Sequence, residues 1–292
     1  MKASLRAALW MLGSIGAFST MAVAGKEVSS VHDSFEIMTL RSAIGIALVL
    51  AFARATGQMQ EIKAERLSGH LLRNLMHFAG QNLWFFALTL IPLAQLFAIE
   101  FTSPIWVILL SPLLLGERLT APRLIAAALG FLGILIVTRP DIAHMNIGVL
   151  AAAAAAVCFA ATSIATKRLT RGQSIVTIMF WLTLMQFCFG LIAIGLKGTL
   201  TWPTAQTLPW LVLIGVCGVI AHYSLTSALS LAAASYVMPI DFLRLPLIAG
   251  VGALAYGEPL DPYVLGGGLV IFLGIWVSLR AELGKPSPKA SP

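Results

Sequence analysis

Apolar stretches long enough to span a membrane recur along nearly the whole 292-residue chain, separated by short polar breaks. A bilayer core about 30 Å thick takes about 20 apolar residues per helix. A chain crossing it must satisfy every backbone polar group internally, which leaves helices or a closed barrel. Barrel strands read as ~10-residue segments of alternating hydrophobicity, and no such alternation is sustained here. Charged residues make up only 11% of the chain, against about 25% in a soluble domain. No polar segment is long enough to form a soluble core. The expected fold is an all-α membrane protein with ten transmembrane helices near 4–25, 35–54, 70–90, 93–115, 121–138, 146–166, 174–196, 208–230, 234–256 and 262–281.

Local chemistry punctuates these runs. Thr120 before Pro122 and Asp261 before Pro262 supply helix-start signals. The Pro/Ser/Lys-rich segment 284–292 reads as a disordered cytoplasmic tail. Lys2 and Arg6 ahead of an apolar stretch that ends in Ala22-Val23-Ala24 resemble a cleaved signal. The repeat described below makes that stretch the counterpart of a later helix, so its retention is expected. Cys158, Cys188 and Cys217 lie in apolar runs without metal or redox spacing and read as small buried hydrophobes.

The net charge of +7 is explained by membrane topology and not by nucleic acid. With a cytoplasmic N-terminus, Lys2, Arg6, Arg54, Lys63, Arg66, Arg73, Arg118, Arg123, Lys167, Arg168, Arg171, Arg280, Lys285 and Lys289 fall inside. Lys26, Arg139 and Lys197 fall outside. This is a positive-inside bias, and both termini are expected in the cytoplasm.

Shifted by about 141 residues, the sequence matches itself. Phe131-Leu132-Gly133-Ile134 falls on Phe272-Leu273-Gly274-Ile275, Gly116-Glu117 on Gly257-Glu258, and Glu100 on Asp241. The halves divide as 1–140 and 141–283, with five helices each. An odd number makes the second half enter the membrane from the opposite side. The chain is therefore expected to hold two inverted five-helix repeats, the symmetry that underlies alternating access in many transporters.

Charges inside a bilayer are expensive and normally face a cavity or a partner. Arg41, Glu100, Asp241 and Arg244 fall in predicted spans. Counting along the helices puts Glu100 in the outer half of the membrane and Asp241 in the inner half. Arg41 and Glu100 are then candidates to pair across helices, and Asp241 and Arg244 to pair along one. Gln81, Asn82, Gln95, His222, Tyr223, Tyr236 and Trp84 are further candidates for lining a substrate cavity, with interhelical bonding as the competing role. His77 alone is not evidence of a metal or proton relay. Trp84, Phe85, Phe86, Phe97 and Trp106 offer an aromatic wall or a lipid-facing belt. Pro104, Pro112, Pro239 and Pro246 mark the fourth and ninth predicted helices as kinked, central elements. The fifth and tenth, glycine-rich and free of mid-helix charge, are expected at the periphery. Metalloprotease, hydrolase and nucleotide-binding motifs are absent from the sequence, so no catalytic residue, cofactor or metal is expected.

Two five-helix halves, each with a Gly-Glu turn before its last helix, resemble the EamA type of the drug/metabolite transporter superfamily. Phe101-Thr102-Ser103-Pro104-Ile105, Leu115-Gly116-Glu117-Arg118-Leu119-Thr120 and Leu40-Arg41-Ser42 carry the likeness, and Arg41 matches an arginine common there. In the second half Pro259 replaces the arginine of the turn. The resemblance implies secondary transport of a small organic metabolite: an amino acid, a vitamin such as riboflavin, a nucleoside-like compound or a drug. The implied partners are that solute, the lipid bilayer and, as an open option, a second copy of the chain. An intramembrane enzyme and a non-transporting assembly or sensor subunit are the rival readings.

Overall fold

The computed structural model describes residues 2–91, 93–138, 146–256 and 262–284. Among them the regular structure is helical throughout: α1 (Ala3–Val28), α2 (Ser34–Ala55), α3 (Leu67–Leu88), α4 (Leu93–Glu100), α5 (Ser103–Leu115), α6 (Ala121–Thr138), α7 (Ile147–Leu169), α8 (Ile175–Lys197), α9 (Leu208–Leu231), α10 (Ala234–Val237), α11 (Arg244–Tyr256) and α12 (Pro262–Gly284). A 3₁₀ turn, Met238–Leu243, joins α10 to α11. Helices α1, α2, α7, α8, α9 and α12, and the stretch Ala234–Val251, are long and apolar enough to cross a bilayer. Leu113, Leu196 and Leu254 are 83%, 85% and 92% exposed, a surface that only lipid satisfies. At 22 residues, α3 is also long enough to cross. It carries His70, Arg73, Asn74, His77, Gln81 and Asn82 along its length, which lowers its hydropathy.

Helix ends follow from local chemistry. Asp33 caps α2 in a reciprocal capping box with Glu36, satisfying amide donors that the first turn leaves open. Asn146 and Ser174 cap α7 and α8 through side-chain oxygens. At the C-terminus of α5, Gly116 takes φ +67°, a left-handed conformation that side chains other than glycine's resist.

The fourth and ninth predicted helices are each interrupted. Pro104 has no N–H to offer the carbonyl of Glu100, and the chain breaks at Phe101 and Thr102 between α4 and α5. Pro239 and Pro246 flank the corresponding interruption between α10 and α11. The expectation of two kinked elements therefore holds, and the kinks are breaks.

Packing follows the 141-residue shift. Helix α1 packs on α9 and its counterpart α7 on α3; α2 packs on α8, and α6 on α12. The last interface repeats atom for atom. A Cβ at Gly133 would meet the Gly267 carbonyl oxygen at 2.6 Å, and one at Gly274 would meet the Ala126 carbonyl at 3.1 Å. Shifting the first contact by 141 residues yields the second. Here the backbones touch, as small residues allow.

Three expectations change. Cys217 is buried, but Cys188 is exposed and lies on the outer surface of the helices. Arg73, counted with the cytoplasmic loops, is 2% exposed inside α3, and Arg123 is 9% exposed inside α6. Leaving both out does not change the sign of the loop-charge bias. Gly284, counted with the tail, closes α12; residues 285–292, the turn Gly257-Glu258 and Asp261 lie outside the described residues.

Candidate functional site

The interruptions of the two broken helices meet at one guanidinium. Arg244 Nη2, at the start of α11, donates to Glu100 Oε1 at the end of α4 and to Asp241 Oδ2 in the 3₁₀ turn, both at 3.0 Å. Trp84 Nε1 on α3 donates to the other oxygen of Glu100 at 2.7 Å. The guanidinium also lies over Phe101 at 5.0 Å and Phe18 at 5.6 Å from the ring centroids, in the attractive range for a cation and a π face. The pairing of Asp241 with Arg244 along one element is as expected. The separation of Glu100 and Asp241 into opposite halves of the membrane is not: both acids reach the same nitrogen. The depth count assumed straight helices rising 1.5 Å per residue, and these two are broken where the acids sit. The suggested pairing of Arg41 with Glu100 also fails, because Arg244 takes the carboxylate.

A second polar centre lies across Phe18. Its ring packs edge-on to His222 at 5.2 Å, and His222 packs edge-on to His77 at 5.0 Å. Both histidines are buried, and among the described residues neither has a hydrogen-bond partner on either ring nitrogen. Arg41, on α2, lines a small cavity with Ser42, Thr183, Gln186 and His222. Its one hydrogen bond among the described residues is from Nη1 to Met21 Sδ at 3.6 Å. Arg73, one helical turn before His77, donates to Thr166 Oγ1 at 3.1 Å and Asn74 Oδ1 at 2.9 Å. Gln186 Nε2 donates to the Asn74 carbonyl at 2.9 Å. Next to the Arg41 cavity, and sharing Met179 and Val219 with it, lies a cavity of about 400 Å³ lined by Trp10, Phe52, Val176 and Tyr223. That volume and apolar lining suit a small organic molecule.

The remaining candidates divide. Gln81 and Asn82 are half-buried on α3, each with an unpartnered amide oxygen. Tyr223 lies between Trp10 and Phe52 on the larger cavity. Tyr236 does not join either centre. It is buried near the α1 N-terminus, its hydroxyl donating to the Ser4 carbonyl at 3.3 Å, because the break after α10 carries the chain away between it and Asp241. The side chain of Gln95 lies outside the described residues. Phe97 packs with Trp84 and Phe101, whereas Phe86 and Trp106 are 48% and 40% exposed. Sequence reading missed Phe18 as the bridge between centres, and Arg73, Asn74 and Gln186 as members of the second one.

Polar clasps join the halves at both ends of the bundle. On one side Lys197 pairs with Asp33 and, at 3.6 Å, with Glu36. Glu36 also takes a hydrogen bond from the Thr201 amide at 2.8 Å, and His32 bonds Thr207 at 3.1 Å. Burial pushes the Asp33 carboxyl up, but its bonds with Lys197 and the first amides of α2 outweigh this and hold it below its usual value. On the other side Glu117 accepts from the Ala234 amide and the Ser235 hydroxyl, both at 2.7 Å. Arg123 pairs with Glu282 at 2.9 Å and Arg171 donates to the Leu115 carbonyl at 2.5 Å, while Lys167, within the second half, donates to the Leu229 and Ala232 carbonyls at 2.6 Å.

A lipid-facing helical bundle in two repeated halves, closed at both ends around buried charges and a cavity, is the build of a membrane transporter. The family model described as the EamA-like transporter family matches residues 5–139 and again 146–280. The chain belongs to that family, and small-metabolite transport, not catalysis, is its function. It is 30% identical over 290 residues to a riboflavin transporter of Vibrio cholerae serotype O1, covering 95% of this chain and 96% of the relative. It is 25% identical over 262 residues to an S-adenosylmethionine uptake transporter of Rickettsia conorii, covering 90% and 88%. A protein of known crystal structure shares the fold, with a TM-score of 0.82 at 22% identity over 98% of this chain and 100% of the other.

Proposed function

We propose that the chain is a secondary transporter that moves a small organic metabolite across the inner membrane by alternating access. In this reading ten helices, with α4–α5 and α10–α11 each counted as one broken span, form two inverted repeats over 1–140 and 141–283. Both termini are cytoplasmic. The observation that carries the reading is the junction of Glu100 and Asp241 on Arg244. Broken helices from the two halves end at one partly buried ion cluster, so a rocking of one half against the other is felt there first. The clasp of Lys197 with Asp33 and Glu36 closes the outer side, and the contacts of Glu117, Arg123 and Arg171 close the inner side. Opening either side breaks one set and keeps the other.

The solute occupies the space bounded by Arg41, Gln81, Asn82, His222, Tyr223, Trp84 and the junction. Phe18 and Trp84 offer faces for a planar ring. Riboflavin and S-adenosylmethionine are the first solutes to test, because similar transporters are named for them. Uptake into proteoliposomes containing only this chain is the experiment. Saturable flux in the wild type, lost in a folded Glu100→Gln variant, supports the reading. Unchanged flux in that variant removes the junction from the mechanism.

A further inference from the structure

The second polar centre has a charge imbalance that the protein does not correct. Arg41 and Arg73 are 9% and 2% exposed. Neither has a carboxylate partner among the described residues. Glu100 and Asp241 are held by Arg244, Asp33 and Glu36 by Lys197, and Glu282 by Arg123. A buried guanidinium is normally paired or neutralised by neighbours. Arg73 at least spends donors on Thr166 and Asn74. Among the described residues Arg41 donates only to a methionine sulfur, a weak acceptor, and its other N–H groups face the small cavity it shares with Thr183, Gln186 and His222. Buried and unpartnered alongside are both ring nitrogens of His222 and of His77, and Gln186 Oε1. His222 lines this void and His77 packs edge-on to it, and each neutral ring can present one N–H to an anion by its choice of tautomer, whereas Gln186 Oε1 is an acceptor. The repeat makes the asymmetry plain: the residue that the 141-residue shift sets opposite Arg41 is Leu182, which lines the same cavity and brings no charge.

We infer that this centre is an oxyanion site, and that the transported solute enters it with a carboxylate or phosphate group, held by Arg41 with Arg73 and the two histidines around it; of the two solutes named above, S-adenosylmethionine has such a group and riboflavin does not. The fork of Arg41 matches such a group in a bidentate manner. The adjoining apolar cavity of about 400 Å³ then takes the organic part of the same molecule. The inference rests on the transporter reading only in calling the bound group part of the solute; the site itself is testable without transport.

The test uses the full chain, purified in detergent, with sodium acetate and sodium phosphate as probes against a constant-ionic-strength background of sodium chloride. The two salts separate a carboxylate from a phosphate preference. The wild type shows a saturable rise in melting temperature with at least one of them. In Arg41→Gln the apparent affinity falls roughly tenfold or more, the loss of about one charge-assisted pair. The anion-free variant melts no lower than the wild type, because an unpaired buried charge has been removed. If Arg41→Gln does not fold, Leu182→Glu carries the test, since it places an internal carboxylate beside Arg41 and abolishes the response. No saturable response in the wild type, or the same response in whichever variant is measured, overturns the inference. Proteoliposome flux is read separately. An anion response without flux of any solute leaves the site standing and removes the transporter reading, and flux without an anion response does the reverse.

Discussion

The two buried centres of this molecule solve the cost of intramembrane charge in opposite ways. At the junction every charge has a partner: Arg244 serves Glu100 and Asp241, Trp84 completes Glu100, and two aromatic faces cover the guanidinium. At the cationic centre, among the described residues, Arg41 has only a sulfur, and the histidine nitrogens have no hydrogen-bond partner. The junction draws its parts from both halves, whereas the arginines and His77 of the cationic centre all come from the first half. A paired cluster loses stability when any member is removed. An unpaired one gains a partner when a ligand arrives. The comparison therefore assigns coupling between the halves to the first centre and recognition to the second, with Phe18 touching both.

Substitutions should separate the two. The largest effect belongs to Arg244→Met, which leaves two carboxylates buried side by side and is expected to destabilise by about 3–5 kcal/mol. Thermal unfolding should show partial rescue when Glu100→Gln and Asp241→Asn are added; no rescue would mean that Arg244 supports the fold by packing alone. Trp84→Phe keeps the ring but removes one bond to a charged acceptor, worth about 1.5–3 kcal/mol. Its melting temperature should fall by less than that of Arg244→Met and by more than that of Arg41→Gln, which on this account melts no lower than the wild type. A fall in Arg41→Gln as large as in Trp84→Phe would erase the distinction between the centres.

The outer clasp is weaker. An exposed pair contributes about 0–1 kcal/mol, so Lys197→Gln should shift the balance toward an outward-open state by a few-fold at most, read as faster labelling of a cysteine in the outer half of the cavity. Its pH dependence has a definite sign. The lowered Asp33 carboxyl contributes stability above its unfolded value of 3.8, which is lost as pH falls through the still lower folded value. Labelling from outside should therefore be insensitive to Asp33 titration near neutrality and rise only in strong acid.

How much of this is legible in the sequence differs between the centres. The apolar runs, the shift of 141 residues and the match of Glu100 to Asp241 define the repeat without coordinates, and Asp241 with Arg244 lies within one turn. That Glu100 joins them required knowing that the broken ends of α4 and α10–α11 meet, a contact between residues 144 apart in sequence. Depth counted along an unbroken helix misplaced both acids for the same reason. The cationic centre was harder to see. Arg73 sits only two turns inside α3, near enough to the cytoplasmic end to be counted with the loops, and Asn74 and Gln186 look like ordinary interhelical polar residues. Tyr236 shows the converse, a repeat partner of Gln95 that the 3₁₀ turn removes from the cavity. Sequence symmetry reports common ancestry of positions, and function had to break it at Arg41 and Leu182.

Alternating access itself is tested most directly at Ser42, which is 4% exposed and lines the cavity beside Arg41. With Cys158, Cys188 and Cys217 replaced, a single Ser42→Cys in oriented proteoliposomes is offered a polar, membrane-impermeant thiol reagent from one side at a time. The account predicts labelling from both sides, and loss of outside labelling alone when an Asp33→Cys, Lys197→Cys disulfide locks the outer clasp. Labelling from one side only, unaffected by that lock, would contradict it.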